Sequence, residues 1–544
     1  MSTSRPLQAQ TNARHIFAGG QVWVWLNAGA LAVCICGVVG VMLLIATKGL
    51  QHFWPADVME IVLDDRVVIG ERVEIEQPVD EPGSERWLIK TGNRRENPPD
   101  FEWIQVAAVK SSTYPEAIAV IERTQWGSAY GYIEFLLSND GRRIEGADIA
   151  PTLTRSLDRL RTTRDAISDL EQGTIKQINL ELEELRLKRR SLILEAPANQ
   201  SDQLSRLAAE ERALLLNYTE QEDILSGLLS SMSGVSIALR ISDQSLQTID
   251  IANVVNIVHP NQLSVFSKLG VFGGQIWSFL SERPREGNSE GGVFPAIFGT
   301  VLMVLLMSVF VTPIGVITAV YLHEYATQGP LVRALRIAVS NLAGVPSVVY
   351  GVFGLGFFVY FLGGSLDQLF YPEALPTPTF GTPGILWASL TLALLTVPVV
   401  IVSTEEGLAR IPQSLREGSL ALGATQAETL IRIILPIASP AILTGVILAV
   451  ARAAGEVAPL MLVGVVKLAP TLPVDGNFPF LHLERKFMHL GFHIYDVGFQ
   501  SPNAEAARPL VFATALLLIT IIVGLNLFAI TLRNRLDRRY QSVE

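Results

Sequence analysis

Charged residues are scarce. Asp, Glu, Lys and Arg make up 17% of the 544 residues, where a soluble chain of this size carries about 25%. Together with 49% hydrophobic residues and a mean hydropathy of +0.35, this excludes an ordinary soluble protein. A membrane protein with a soluble portion fits instead. Cysteine is scarcer still. Cys34 and Cys36 are the only two; on a helix, residues two apart point to nearly opposite faces, so no disulfide framework is implied. No GxxxxGK(S/T) loop occurs, so no P-loop nucleotide site is read on this chain. No Ser/His/Asp or paired-carboxylate arrangement stands out, and the chain reads as non-catalytic. The formal net charge is −10 without a basic stripe, which argues against a nucleic-acid partner.

Long apolar runs take the place of charge. Residues 1–21 are polar, and Val22 to Ala46 is then a run interrupted only by Asn27. A span needs about 20 such residues and a signal-peptide core about 7–15, so this is expected to be a retained anchor. Five more spans are expected at Phe294–Tyr321, Leu342–Leu362, Gly384–Val402, Pro440–Gly464 and Pro509–Leu532, six in all. Lys and Arg then fix the orientation. Arg5 and Arg14 precede the first span; Arg333 and Arg336 lie in 322–340. Arg410, Arg416 and Arg432 lie between the fourth and fifth spans, and Arg533, Arg535, Arg538 and Arg539 in the tail. The opposite side has none in 364–383, and Lys467, Arg485, Lys486 and Arg508 in 465–508. The positive-inside rule places both termini and the segment between the fourth and fifth spans in the cytoplasm of a multi-pass membrane protein.

Residues 47–293 form a long polar insertion, outside the cytoplasm on this orientation. From Met59 to Ile149, short β-branched and aromatic runs alternate with turn residues, which predicts a small β-rich domain. From about 153 to 231 the period becomes helical. Ile178, Leu182, Leu185 and Leu192 follow one seam, with Arg189 at the skipped position. Leu204, Leu207, Leu214, Tyr218, Leu225 and Leu228 follow another, with Glu211 and Gln221 as polar interruptions and a turn at 196–202 between. This predicts an antiparallel coiled-coil hairpin inserted in the β-rich domain, since residues 235–260 return to β-like alternation. Arg94 and Arg95, and Lys188 to Arg190, are its basic clusters. The second follows Glu183 and Glu184, as on a solvated mixed-charge face. His482, His489 and His493 lie beside Glu484, but a single loop rarely converges metal ligands, and no metal site is read there.

Two stretches carry more information. Arg416 to Pro436, REGSLALGATQAETLIRIILP, lies between two apolar runs. It predicts a helix through Glu417, Gly418 and Ser419, a turn at Gly423, a second amphipathic helix, and a stop at Pro436 after Ile433 and Leu435. That is a compact knob suited to a cleft on a partner. The fifth span reads AILTGVILAVARAAGEVAPLMLVG, with Arg452 near its midpoint and Glu456 one turn on. A central Arg costs about 2.5–3.5 kcal/mol by insertion scales, so it should face the bundle interior or water. Guanidinium suits a tetrahedral oxyanion, offering a rigid fork of donors and a permanent charge. A buried ion pair locking two spans is the structural alternative.

The knob resembles the EAA loop of ABC importer permeases, with Gly418 and Ser419 in place of two alanines. ARAAGEVAPL (451–460), EGGVFPAIFGT (290–300), PIGVITAVYLHEYA (313–326) and NLAGVPSVVYGVFGLGFF (341–358) resemble the signatures of phosphate importer permeases. In order and spacing they are similar to the A-type membrane subunit of the bacterial phosphate-specific transport system, over roughly 290–532 plus the first span. The resemblance implies the type I ABC importer permease fold with six transmembrane helices and a core at 294–532, its EAA loop at 404–436. The tail is then 533–544. The periplasmic insertion, β-rich with a coiled-coil hairpin, is a departure from short relatives. The resemblance further implies import of inorganic phosphate across the bacterial inner membrane, with a homologous second permease, an ABC ATPase dimer holding ATP and Mg²⁺, and a periplasmic phosphate-binding protein. No cofactor is implied on this chain. Arg452 and Glu456 become the candidate substrate pathway. Glu417, Gly418, Ser419, Gly423, Ile433, Leu435 and Pro436 become the ATPase-coupling element. A permease for molybdate or sulfate, and a membrane scaffold or signalling subunit using the hairpin, are the alternatives; the insertion itself could be a substrate-capturing or envelope-spanning module.

Overall fold

The computed structural model describes residues 21–77, 85–92, 100–195, 201–327, 329–501 and 504–541. The polar N-terminus with Arg5 and Arg14, the Arg94/Arg95 cluster, the turn at 196–200 and the Arg539 side chain lie outside the described residues. Among the described residues, six helices are long and apolar enough to cross a membrane: Trp23–Gln51, Phe294–Tyr325, Ser347–Phe370, Ile385–Ala409, Gln426–Gly455 and Ala507–Arg535. The first belongs to α1 (Gln21–Gln51). It stands free of the bundle along most of its length and meets the last span at Gly49, where a Cβ would lie 2.9 Å from the Phe512 carbonyl oxygen.

Outside the spans the insertion is β-rich, and two larger antiparallel sheets make up most of its strands among the described residues. The first pairs β1 (Val58–Val62), β2 (Val67–Glu76), β3 (Arg86–Lys90), β4 (Phe101–Gln105) and β5 (Ser111–Thr113) in the order β4-β3-β2-β1-β5. The second contains β6 (Ile118–Arg123), β7 (Ala129–Ser138), β8 (Arg143–Ile144), β9 (Val235–Arg240), β10 (Leu246–Asp250) and β11 (Val254–Val258). Its order is β10-β9-β7-β6-β11, with β8 against β7. β6 is packed on both faces: Ile121 joins the core of the second sheet, while Ile118 and Val120 on the opposite face meet the first sheet. Val58, Ile69, Ile118 and Tyr130 form a common cluster between the sheets. Asn261 staples them by accepting from the Val58 N–H and donating to the Val58 and Pro115 carbonyls. One run of alternating residues cannot reveal that its strands divide between two sheets, because the division is made by pairing partners.

Between β8 and β9 rises the helical arm: α2 (Ile149–Asp169), a π-helical segment Leu170–Ile175, α3 (Lys176–Glu195) and the returning α4 (Ser201–Met232). Arg189 at the skipped position of one seam answers Glu211 on the other, its Nη1 3.0 Å from Glu211 Oε2. Ile178 is the buried residue of α3, as expected where two helices alone can cover little of each other. The base of the arm is tied down more firmly. Leu153 joins the core of the second sheet, and Arg164 donates to the Ala252 carbonyl at 2.8 Å.

An element absent from the sequence reading follows. α5 (Val265–Ser281), capped by Ser264 accepting from the Ser267 N–H, exposes Val265, Phe266, Leu269 and Trp277 while burying Phe279. Such a helix is suited to lie in the membrane interface. It was hidden by treating everything to residue 293 as one polar insertion. β12 (Pro284–Arg285) and β13 (Glu290–Gly291) then lead into α6 (Phe294–Val320).

The permease portion continues with α7 (Pro330–Leu342), α8 (Ser347–Phe353), α9 (Gly364–Phe370) and α10 (Ile385–Ala409). The knob helices α11 (Gln413–Ala421) and α12 (Gln426–Thr429) come next. After them stand α13 (Leu435–Gly455), α14 (Leu460–Val463), α15 (Leu490–Tyr495) and α16 (Ala504–Gln541). Met303, Met307, Leu392, Val400, Ala449 and Ala453 belong to one core cluster, which packs α6, α10 and α13 together. Two expected spans shift. The third starts at Ser347, not Leu342, because Pro346 separates it from α7. The fifth runs from Gln426 to Gly455 rather than Pro440 to Gly464. Pro436 does not stop a helix: it occupies the first turn of α13, directly after a π-helical segment, Leu430–Ile434, within the same span. A proline there is tolerated because the wider turn releases the backbone bond it cannot make. At the other end, hydropathy runs on through VAPLMLVG, but Glu456 is extended and Pro459 follows, so the helix ends.

Candidate functional site

Arg452 therefore lies in the last turn of α13, at the end of the span away from the knob, and not near its midpoint. The position suits a cation, since the helix carries partial negative charge at its C-terminus. Glu456 is the residue that breaks the helix, with φ −79° and ψ 133°, so it is not one turn further along the same face. The two side chains still meet: Arg452 Nε is 3.6 Å from Glu456 Oε1, an ion pair too long for a hydrogen bond. Arg452 Nε is buried and has no hydrogen-bond partner, while its side chain as a whole is 37% exposed. A partly exposed pair of this geometry contributes about 1 kcal/mol or less. The guanidinium is thus held in place but not consumed.

Close backbone contact surrounds it. A Cβ on Gly351 would lie 2.7 Å from Pro459 Cα, so α8 meets the Glu456–Leu460 turn at van der Waals distance. Tyr350, within electrostatic reach of Arg452, is buried and donates from its hydroxyl to the Leu342 carbonyl at 2.6 Å. Around this point Val348, Val349, Val352, Phe353 and Leu448 are exposed. These side chains belong to membrane-spanning helices, where lipid or a second subunit covers exposed apolar groups.

The knob is built from within. Ser419 Oγ and Thr429 Oγ1 are 2.8 Å apart in its interior, linking α11 to α12. Thr425 caps α12 in a reciprocal box with Glu428. Gly423 turns the chain with φ +90°, a conformation that L side chains rarely adopt. Arg416 fastens the knob to the second span, reaching Glu324 Oε1 at 3.0 Å and the Leu408 and Ile411 carbonyls. Arg336 bonds the Leu322 carbonyl and pairs with Glu405 at 3.4 Å.

The residues expected to contact a partner divide accordingly. Glu417, Gly418 and Gly423 are exposed. Ser419 is internal and acts as a brace; Ile433, Leu435 and Pro436 are half-buried at the root. Sequence reasoning missed Leu422, which is 91% exposed at the tip, with Leu420 and Ile431 beside it. It also missed the Arg416–Glu324 brace. An apolar side chain at a turn was the available signal for the first; the second joins positions 92 apart and has none.

The histidines of the outer loop have structural roles. His482 Nε2 lies 3.0 Å from Asp475 Oδ1, and His489 Nδ1 accepts from the Gly491 N–H. Burial pushes His489 and His493 down to about 4, so both are neutral at pH 7. Among the described residues, no group of three His, Cys, Asp or Glu side chains converges to hold a metal.

Residues 311–542 match the family described as binding-protein-dependent transport system inner membrane component. The phosphate transport system permease protein PstA of Mycobacterium leprae (strain TN) is 38% identical over 251 residues, 46% of this chain and 73% of that protein. Its namesake from Yersinia pestis is 32% identical over 260 residues, 48% of this chain and 78% of that protein. Among solved structures, an inward-facing conformation of the MetNI methionine ABC transporter is 17% identical, covering 48% of this chain and 98% of that one, with a TM-score of 0.32.

Proposed function

This chain belongs to the PstA-type family of phosphate ABC transporter permeases, and on that premise we propose that it forms half of the membrane pathway of an ATP-driven importer of inorganic phosphate. It is a multi-pass membrane permease, and the family is a non-catalytic one. The observation that carries the substrate reading is Arg452: a permanent cation at a helix end, its Nε buried and unpartnered, beside an apolar face exposed on the single chain. A homologous second permease covers that face and completes a cavity into which the guanidinium donates its hydrogen bonds. Glu456, 3.6 Å away, competes with the anion for the same donors. It keeps the affinity low enough for release.

The knob faces the cytoplasm with both termini and docks into one subunit of an ATPase dimer. That dimer binds and hydrolyses ATP with Mg²⁺. Leu422, Glu417, Gly418 and Gly423 form the contact, and Arg416 passes its movement to the second span through Glu324. The insertion faces outward, where a phosphate-binding protein delivers the anion. Rocking of rigid spans about the Arg452 site then gives alternating access.

The test is ATP-dependent uptake of labelled phosphate into vesicles holding the reconstituted complex, with sulfate and molybdate as competitors. Arg452→Ala should assemble normally and lose uptake. Normal uptake by Arg452→Ala makes the residue structural; uptake of sulfate or molybdate in place of phosphate overturns the substrate.

A further inference from the structure

A large cavity lies away from Arg452. It encloses about 1160 Å³ between the two sheets of the insertion and the outer ends of the first and last spans. Its floor includes Phe53, Trp54, Phe279, Leu510 and Phe512; its walls carry seven Lys or Arg side chains against six Asp or Glu. The level of the cavity is fixed by the chain: the Glu282 carbonyl accepts from the Phe294 N–H, the first residue of the second span. Glu282 and Arg285 therefore stand at the height of lipid headgroups.

Most charges in the walls are already answered. Lys90 is surrounded by Tyr130, Glu71, Glu290 and Asp100, and its ammonium is held above the usual lysine range by Tyr130 first, against the opposing effect of burial, with the three carboxylates adding to it. Two groups on facing elements lack hydrogen-bond partners among the described residues, though Arg285 lies within electrostatic reach of Glu122. Arg285 Nε is buried without a hydrogen-bond partner, and the nearest carboxylate, Glu282, is 3.9 Å from its Nη2. Glu122 on β6 is half-buried and accepts no hydrogen bond from any described residue. Arg164 and Glu122 are pressed in opposite senses. Burial, and then Arg285, draws Arg164 below the usual arginine range. Burial, and then Glu282 against the relief given by Arg285, pushes Glu122 above the usual carboxylate range. An anion would relieve the first and a cation the second.

We infer that this cavity holds the headgroup of an outer-leaflet phospholipid of the ethanolamine type, its phosphodiester on Arg164 and Arg285 and its ammonium on Glu122 and Glu282. A zwitterion relieves both strained groups without altering the net charge of the cavity. A primary ammonium donates hydrogen bonds to a carboxylate, which choline cannot do. The apolar floor continues into the bilayer beside Trp54 and takes the first methylenes of the acyl chains. Free phosphate shares the guanidinium contacts. However, it would occupy a small part of a space larger than the about 300–1,000 Å³ of ordinary ligand sites, and it brings further negative charge to Glu122 and Glu282. The ligand anchors the insertion at a fixed height above the permease mouth.

The experiment uses the full chain, purified in mild detergent from membranes containing phosphatidylethanolamine and phosphatidylglycerol, with retained lipid read by native mass spectrometry. One phosphatidylethanolamine per chain is expected, at least tenfold over phosphatidylglycerol. Arg285→Gln and the near-isosteric Glu122→Gln should each cut retention tenfold or more. Because Arg285→Gln could weaken folding, re-addition of phosphatidylethanolamine to delipidated protein supplies the second reading: it should raise the melting temperature of wild type and not of Glu122→Gln. Retention of phosphatidylglycerol on equal terms overturns the inference, as do an equal rise in melting temperature when phosphatidylcholine is added to the delipidated protein and retention unchanged in Glu122→Gln. So does calorimetric binding of inorganic phosphate that Arg285→Gln abolishes, since that assigns the cavity to the free ion.

Discussion

Replacing Asp475 with Asn should loosen the helical arm from the permease. Asp475 Oδ2 accepts from Lys176 at 3.0 Å and from Arg485 at 2.7 Å; Oδ1 accepts from the Asn477 N–H and lies 3.0 Å from His482 Nε2. Burial alone would raise this carboxyl, but the bonds from Arg485, the Asn477 backbone, Lys176 and His482 outweigh it and hold the group far below the usual carboxylate range. A depressed carboxylate contributes stability above its unfolded value, lost only as pH falls through the folded one, so the tie is intact at every pH near neutral. Asn keeps the shape and removes the charge, leaving Lys176 and Arg485 uncompensated. Breaking a buried pair costs about 3–5 kcal/mol. With Lys176 27% exposed, a value near the lower end, about 3 kcal/mol, is expected. Among the described residues, the 170–180 segment has one other polar side-chain tie to the rest of the protein, Arg283 to Gln172 at 2.7 Å. Hydrogen exchange over residues 170–180 should therefore quicken by about a hundredfold, at about 1.4 kcal/mol per decade. Exchange near Arg189 and Glu211 should not change. Protection at 170–180 within twofold of wild type, in a protein that still folds, would refute the reasoning.

Three further outcomes are expected. Leu422→Asp, at an almost fully exposed tip, should leave the melting temperature within a degree of wild type while abolishing co-purification with the ATPase; retained binding would move the docking surface elsewhere. Gly299→Ala should destabilise by about 1–3 kcal/mol, because the new Cβ would lie 2.1 Å from the Met488 carbonyl oxygen, whereas Gly418→Ala meets open space and should be neutral in thermal unfolding. His489 and His493 have folded values depressed to about 4, so their contribution is complete above the unfolded value of about 6.5 and is lost progressively as pH falls towards 4. Each should lose about 2 kcal/mol by pH 5. Thermal denaturation in detergent at pH 7.5 and 5.0 should show a drop that His489→Gln with His493→Gln reduces, and an equal drop in the double variant would assign it to other groups.

The sequence alone determined the elements that local pattern specifies. Apolar length marked the six spans, the change from alternation to a helical period marked the arm, and Gly423 marked the turn of the knob. Each depends on residues a few positions apart. Hydropathy could not fix the ends of the third and fifth spans, since Pro346 and Pro459 interrupt apolar runs without making them polar. It therefore left Arg452 half a span from its true place at the helix end. The amphipathic helix at 265–281 was legible in principle, but its apolar face was averaged into the polar stretches on either side. Only the tertiary structure decided what depends on partners far apart in the chain. It divided the strands between two sheets. It braced Arg416 on Glu324, turned Ser419 inward onto Thr429, and gathered Glu122, Arg164 and Arg285 around one cavity. A periodicity records which face of an element is buried; it carries no record of what is buried against it.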